Sequence, residues 1–449
     1  MNTGTHTTTE WLARSVSRLR PSATRKQGPR STQERLKATL RQDGEAMSPR
    51  ALRQALKDLK GIVDPMVSEV EGGRRAQAVM DWHAQAEPAL RRDLWLLMSE
   101  HFVADPERVQ QAQAQYAAAV GTPDEAAAEV LYRRATVSPR RRLLQRFSAN
   151  PDGVRFLVDL RAQMQPLLRS DRRLLALDVE MEYMFSTWFD VGFLALRRIT
   201  WDSPASLVEK LIKYEAVHDI RSWADVKNRL DSDRRCYGFF HPSLPEEPLI
   251  FVEVALMNEI ASSITPLLDE AAAPADLDRA TTAIFYSISN TQTGLRGVSF
   301  GDSLIKRVVD TLNREFPRLR HFATLSPIPG LRAWLNKAAP AELLKAWEHV
   351  DTLEEDAPER RALLGWAARY LGRELQDGKP LDPVARFHLG NGARVERLNW
   401  AADPSAKGMR QSYGLMVNYL YDLKRLDKHR ALLAQGKVPL AAAIKDLDD

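Results

Sequence analysis

At 449 residues the chain exceeds the length at which one hydrophobic core usually stops growing, so two or three domains are expected. Its 44% hydrophobic and 27% charged residues are globular proportions, which exclude global disorder, and every apolar run is broken by charge too early to cross a bilayer. A net charge of +5 with acids and bases interleaved excludes a nucleic-acid stripe, and the single Cys236, read as a small buried hydrophobe, excludes an intrachain disulfide framework.

Residues 1–31 carry Arg14, Arg18, Arg20, Arg25, Lys26 and Arg30 against one acid, Glu10. This reads as a disordered basic tail rather than a targeting peptide, since no amphipathic stretch accompanies the charge. From 32 to 195 apolar residues recur every three or four positions, as in Leu52, Leu56 and Leu59, which predicts an all-helical domain. Helix starts are marked by Thr122-Pro123-Asp124-Glu125, Ser138-Pro139 and Asn150-Pro151-Asp152, where a side-chain oxygen can accept the first free amides and proline fits the first turn. His83 and His101 stand alone on helical stretches and suggest no metal site. A helical domain without chemistry is expected to serve oligomerisation, giving a homo-oligomer, dimer or tetramer.

After Trp201-Asp202-Ser203-Pro204 short β-branched and aromatic runs alternate with helical ones, so 196–449 is expected to be α/β. Strands are predicted over 236–240, 249–256, 284–289 and 321–325, with the proline-bearing 241–248 as a turn and a helix over 302–316. Tyr419 and Tyr421 alternate as in a strand and read as core packing.

Between the third strand and that helix lies Gln292-Thr293-Gly294-Leu295-Arg296-Gly297-Val298-Ser299-Phe300-Gly301. Amides opening a helix lack intrahelical acceptors and point along the positive end of its dipole, while glycine lets the backbone approach an anion. The string Arg296-Gly297-x-x-x-Gly301-x-x-Leu304 resembles the pyrophosphate loop of the GNAT-type N-acetyltransferase fold, departing at Ser299, where many members carry glycine. The adjacent Lys306-Arg307 pair reads as a solvated face, with a contact to a coenzyme 3′-phosphate as the sharper alternative.

Phe322-Ala323-Thr324-Leu325-Ser326-Pro327-Ile328-Pro329-Gly330 and Phe387-His388-Leu389-Gly390-Asn391-Gly392-Ala393 resemble signature strings of the malonyl-CoA decarboxylase family. So do Arg234-Arg235-Cys236-Tyr237, Gly301 through Val309, and Gly414-Leu415-Met416-Val417-Asn418-Tyr419, in the family's order over roughly Trp188 to Tyr421. The resemblance implies a multidomain α plus α/β protein, with a helical oligomerisation domain followed by a GNAT-like α/β catalytic domain that binds acyl-CoA. It further implies Ser326 and His388 as the catalytic pair, and a coenzyme-contacting loop of Arg296, Gly297, Val298, Ser299, Phe300, Gly301 and Asp302. The activity implied is conversion of malonyl-CoA to acetyl-CoA and carbon dioxide through a thioester enolate, with no cofactor beyond the coenzyme A of the substrate.

By itself Ser326-Pro327 would be an ordinary turn and His388 a core histidine, and it is the family strings that reverse both readings. His218, His241 and His321 pair with nothing in the sequence and stay outside the site. The alternative function is an acyl-CoA-dependent acyltransferase of the same fold, since fold does not fix reaction, and a third reading is a scaffold that only senses acyl-CoA. No nucleic-acid or membrane partner is expected. The chain finishes Leu447-Asp448-Asp449 rather than in a peroxisomal Ser-Lys-Leu, so a cytoplasmic location is the expectation.

Overall fold

A computed structural model describes residues 46–298 and 304–448, and the basic segment 1–31 lies outside the described residues. They divide into two compact units, one of residues 46–188 with 292–298 and the other of 189–291 with 304–448.

In the first unit eight α-helices lie among the described residues: α1 (Pro49–Val63), α2 (Glu69–Gln85), α3 (Pro88–His101), α4 (Pro106–Ala119), α5 (Glu125–Thr136), α6 (Pro139–Ser148), α7 (Gly153–Met164) and α8 (Leu175–Trp188). Their starts follow the local chemistry. Ser48 and Ser138 accept amides of the first turns of α1 and α6, and each helix has proline in that turn. Leu52, Leu56, Leu59 and Ile62 form the buried stripe of α1, the spacing that puts one helix face inward. Arg140 is buried in α6 and donates to the carbonyls of Met98 at 3.2 Å, Ser99 at 2.5 Å and Ala176 at 3.2 Å, tying α6 to α3 and α8. His83 is a buried acceptor for the Trp95 indole at 3.1 Å, and desolvation lowers its pKa to about 4, which marks it as a core histidine.

The second unit is built on a mixed sheet of β1 (Ala195–Ile199), β2 (Arg234–His241), β3 (Leu244–Met257), β4 (Thr282–Asn290), β5 (His321–Thr324), β6 (Ser326–Pro327), β9 (Arg394–Asn399) and β10 (Met416–Leu420). The short hairpin of β7 (Leu375–Gln376) and β8 (Lys379–Pro380) stands apart from it. Along the sheet the order is β1-β2-β3-β4-β5-β10-β6, with β9 also on β10. An antiparallel run from β1 to β4 thus gives way to one parallel step, β4 to β5, crossed by the helix Leu304–Glu315. Leu304, Ile305, Val308, Val309 and Leu312 of that helix are buried. This is the α/β arrangement that the acetyltransferase-like loop led one to expect.

Two local expectations are corrected. The predicted turn over 241–248 is tight: β3 already starts at Leu244 and carries Pro245 and Pro248 through register shifts near Phe240, where a missing amide costs no regular ladder bond. Strands β1 and β9 were not anticipated, because both are edges bearing arginines, Arg197, Arg198, Arg394 and Arg397, which is how natural sheets protect edges from pairing. Cys236 is buried in β2 and desolvation pushes its thiol pKa well up, leaving it an inert hydrophobe.

The parallel pairing covers only Thr282 to Phe285 on β4 and His321 to Thr324 on β5. The Leu325 amide still donates to the Phe285 carbonyl at 3.0 Å, and then the chain turns away into β6, whose Ser326 pairs with Val417 of β10. Beyond this point β4 keeps β3 as its ladder partner, so the sheet opens at the carboxyl ends of its two parallel strands, where open α/β sheets take their ligands.

Candidate active site

Ser326 sits at that opening. The helix Pro383–Gly390 brings His388 to it in its last turn, and the serine Oγ lies 3.3 Å from the imidazole Nε2 although 62 residues separate them. Both are buried, at 5% and 3% exposure, which makes the pair a desolvated one rather than a surface contact.

Hydroxyls flank the imidazole on both sides. The Ser326 hydroxyl donates to Thr324 Oγ1 at 2.8 Å, leaving its lone pairs free to accept from Nε2–H. On the far side of the ring, Nδ1 lies 2.7 Å from the Tyr421 hydroxyl, which donates to it in the same tautomer. Thr324 Oγ1 also accepts the Tyr419 amide at 3.1 Å, and the Tyr419 ring stacks on the imidazole at 4.7 Å between centroids. Burial lowers the His388 pKa to about 3, because the low-dielectric surroundings penalise its cationic form. A neutral imidazole between the Ser326 and Tyr421 hydroxyls is the state this arrangement holds.

Asp382 holds the serine loop and the histidine helix in register. As N-cap of Pro383–Gly390 it accepts the amides of Val384 at 2.9 Å and Ala385 at 3.0 Å through Oδ1. Its Oδ2 accepts the amide of Gly330, the end of the Ser326-Pro-Ile-Pro-Gly string, at 3.3 Å, and the Tyr370 hydroxyl at 3.5 Å. A Cβ at 330 would stand 2.2 Å from the Tyr370 oxygen, so a side chain there would displace that hydroxyl from Asp382. Desolvation raises the pKa of Asp382, with these donors acting against it. From the sheet side Asn418 donates to the Thr324 carbonyl at 2.7 Å and accepts from Asn399 at 2.9 Å and Arg397 at 3.1 Å.

Of the loop expected to contact the coenzyme, Arg296 and Gly297 are exposed and Val298 is buried, whereas Ser299, Phe300, Gly301 and Asp302 lie outside the described residues. Gly297 has φ +85°, a conformation open to glycine. Residues 292–298, although they follow β4 in sequence, are packed with the helical unit. Arg307 is half-buried and its Nη1 donates to the carbonyls of Val191 at 2.6 Å and Leu194 at 2.7 Å, while Lys306 is exposed.

The sequence reading passed over Thr324, Asp382 and the polar role of Tyr421. Asp382-Pro383 is a recognisable helix start, so the cap could have been read, but that the same carboxylate also reaches Gly330 could not. Tyr421, read as core packing, is buried as expected, and its hydroxyl is turned to His388.

The chain is similar to known proteins along most of its length. Residues 192–448 match the malonyl-CoA decarboxylase C-terminal domain family and residues 102–189 the malonyl-CoA decarboxylase N-terminal domain family. The mitochondrial malonyl-CoA decarboxylase of Rattus norvegicus is 38% identical over 394 residues, 78% of this chain and 80% of the rat protein. The crystal structure of malonyl-CoA decarboxylase from Rhodopseudomonas palustris superposes with a TM-score of 0.80 at 39% identity, covering 88% of this chain and 99% of that one. That from Agrobacterium vitis gives 0.80 at 40% identity, covering 88% and 100%. With both of its parts matched in order and a relative this similar along most of its length, the chain belongs to the malonyl-CoA decarboxylase family.

Proposed function

We propose that the protein converts malonyl-CoA to acetyl-CoA and carbon dioxide, with Ser326 and His388 as its catalytic residues. The observation that carries this reading is the 3.3 Å contact between Ser326 and a neutral, buried His388 at the opening of the parallel strands, in a chain of this family.

In this reaction the electron pair of the bond between Cα and the carboxylate passes into the thioester, leaving carbon dioxide and an enolate with its charge on the thioester oxygen. One proton is then consumed at Cα. Donors placed at the developing charge contribute most in a water-poor site, typically about 3 to 4 kcal/mol for one group. A neutral imidazole suits an enolate, because its N–H can be donated without the cost of burying a cation. In the proposal His388 gives its Nε2 proton to Cα as the Tyr421 hydroxyl passes its own proton to Nδ1, so the ring stays neutral, and solvent then restores the proton to Tyr421. Ser326, turning its hydroxyl proton from Thr324, donates to the substrate carboxylate or oxyanion. Arg296 and the amides up to Asp302 bind the coenzyme diphosphate.

The test is to incubate the protein with malonyl-CoA and no acceptor. Acetyl-CoA and carbon dioxide in equal amounts are expected. No turnover until an amine acceptor is added, with malonyl transfer to it, would identify an acyltransferase instead.

A further inference from the structure

Thr324 and Ser326 stand two residues apart in extended chain, so their side chains leave on the same side and their hydroxyls meet. Thr324 is fully buried at the end of β5, and the strand holds its oxygen in place. Its main chain pairs with Phe285 of β4, its carbonyl accepts from the Asn418 side chain at 2.7 Å, and its Oγ1 accepts the Tyr419 amide at 3.1 Å. The β-branched side chain is also stiff at its first torsion, so this oxygen is a fixed point beside a serine that can rotate.

Two neighbours compete for the single proton of Ser326: Thr324 Oγ1 at 2.8 Å and His388 Nε2 at 3.3 Å. The shorter contact runs from the serine to the threonine, and with the Tyr419 amide it fills both lone pairs of Oγ1. A serine whose proton is turned to Thr324 offers only lone pairs to the imidazole, which favours a proton on Nε2. Turned to Nε2 instead, it would leave the ring proton on Nδ1, on the side of Tyr421. Tyr421 does not choose between these states, because a hydroxyl 2.7 Å from Nδ1 can donate to it or accept from it.

We propose that Thr324 is a positioning residue for the proton donor: by taking the Ser326 proton in the resting site, it keeps Nε2 as the protonated nitrogen of His388. The inference rests on the reading of His388 as the group that protonates Cα. Thr324 acts through Ser326, and the arriving malonyl group then draws the serine proton away from it, so one hydroxyl serves both stages.

The test reads the ring nitrogens of His388 by NMR on protein carrying nitrogen-labelled histidine, with the signal assigned by its loss in His388→Gln. In the unsubstituted protein the proton is expected on Nε2. Thr324→Val keeps the shape and removes the acceptor, so the proton should move to Nδ1, with kcat for malonyl-CoA lowered about 10²-fold and KM held within about threefold. Thr324→Ser returns the hydroxyl and should return both the Nε2 proton and most of kcat. Tyr421→Phe leaves Thr324 and Ser326 in place and should keep the proton on Nε2. It strands no buried donor, so it carries the test if Thr324→Val does not fold. The inference is overturned by a proton on Nδ1 in the unsubstituted protein, by an unmoved proton or an unchanged kcat in Thr324→Val, or by a move to Nδ1 in Tyr421→Phe. The function fails separately: no carbon dioxide from malonyl-CoA with the unsubstituted protein sinks the decarboxylase reading, whereas normal turnover beside an Nε2 proton indifferent to Thr324→Val sinks only the role of Thr324.

Discussion

The Ser326/His388 region and the loop of residues 292–298 both rely on buried polar groups, yet they are held by opposite means. Around the imidazole every first partner is neutral: two hydroxyls and the face of a tyrosine ring. The loop is held by a buried arginine paired with two carboxylates. The difference follows from what each must do. A group that must meet developing charge gains from a low-dielectric surrounding without fixed counter-ions, whereas a backbone turn that must keep its shape gains from strong, charge-assisted donors.

The largest effect that would sharpen this contrast is on chemistry alone. His388→Ala should lower kcat by about 10³-fold, within the range usual for a placed proton donor, while calorimetry finds acetyl-CoA binding close to that of the unmodified protein. A parallel loss of binding would show the two regions to be one.

Next is the carboxylate that frames the neutral site. Asp382→Ala removes a helix cap and leaves the Gly330 amide and Tyr370 hydroxyl short of an acceptor, for an expected loss of about 2 to 3 kcal/mol in urea unfolding. A midpoint unchanged from that of the parent protein would mean that the cap is replaceable by water.

The smallest effect is electrostatic. Folding lowers the His388 pKa from 6.5 to about 3, so between these values the unfolded chain binds a proton that the folded chain refuses. His388 therefore contributes stability that is present above pH 6.5 and is lost as pH falls through that window. His83 and His218, both lowered to about 4, act in the same direction, and Glu253, raised to about 7 by desolvation, acts in the opposite one. Ring-nitrogen NMR on histidine-labelled protein should show His388 still neutral, with its proton on Nε2, at pH 5. A cationic signal there would break the comparison with the charged loop.

Much of the fold was legible locally. The stripes of α1, the serine and proline starts of α1 and α6, and the β-branched runs of β3 and β4 each reflect a preference acting within a few residues, so reading them needed no tertiary knowledge. The arginine-bearing edges β1 and β9 escaped because an edge strand needs no apolar alternation on its open side. At the site, Ser326 and His388 were reached through family strings, while Asp382 and Tyr421 were not, since the role of each lies in a partner 52 and 33 residues away.

The sequence by itself determined where helices and strands begin, which faces they bury, and which two side chains carry the family's signature, because hydrophobic periodicity and capping are properties of neighbouring residues. Only the tertiary structure decided that His388 is neutral between the Ser326 and Tyr421 hydroxyls, and that Arg161 of a helix far upstream donates to the loop after β4. Protonation depends on desolvation and on hydrogen-bond partners brought together from distant parts of the chain, and a buried arginine is defined by the acceptors it meets.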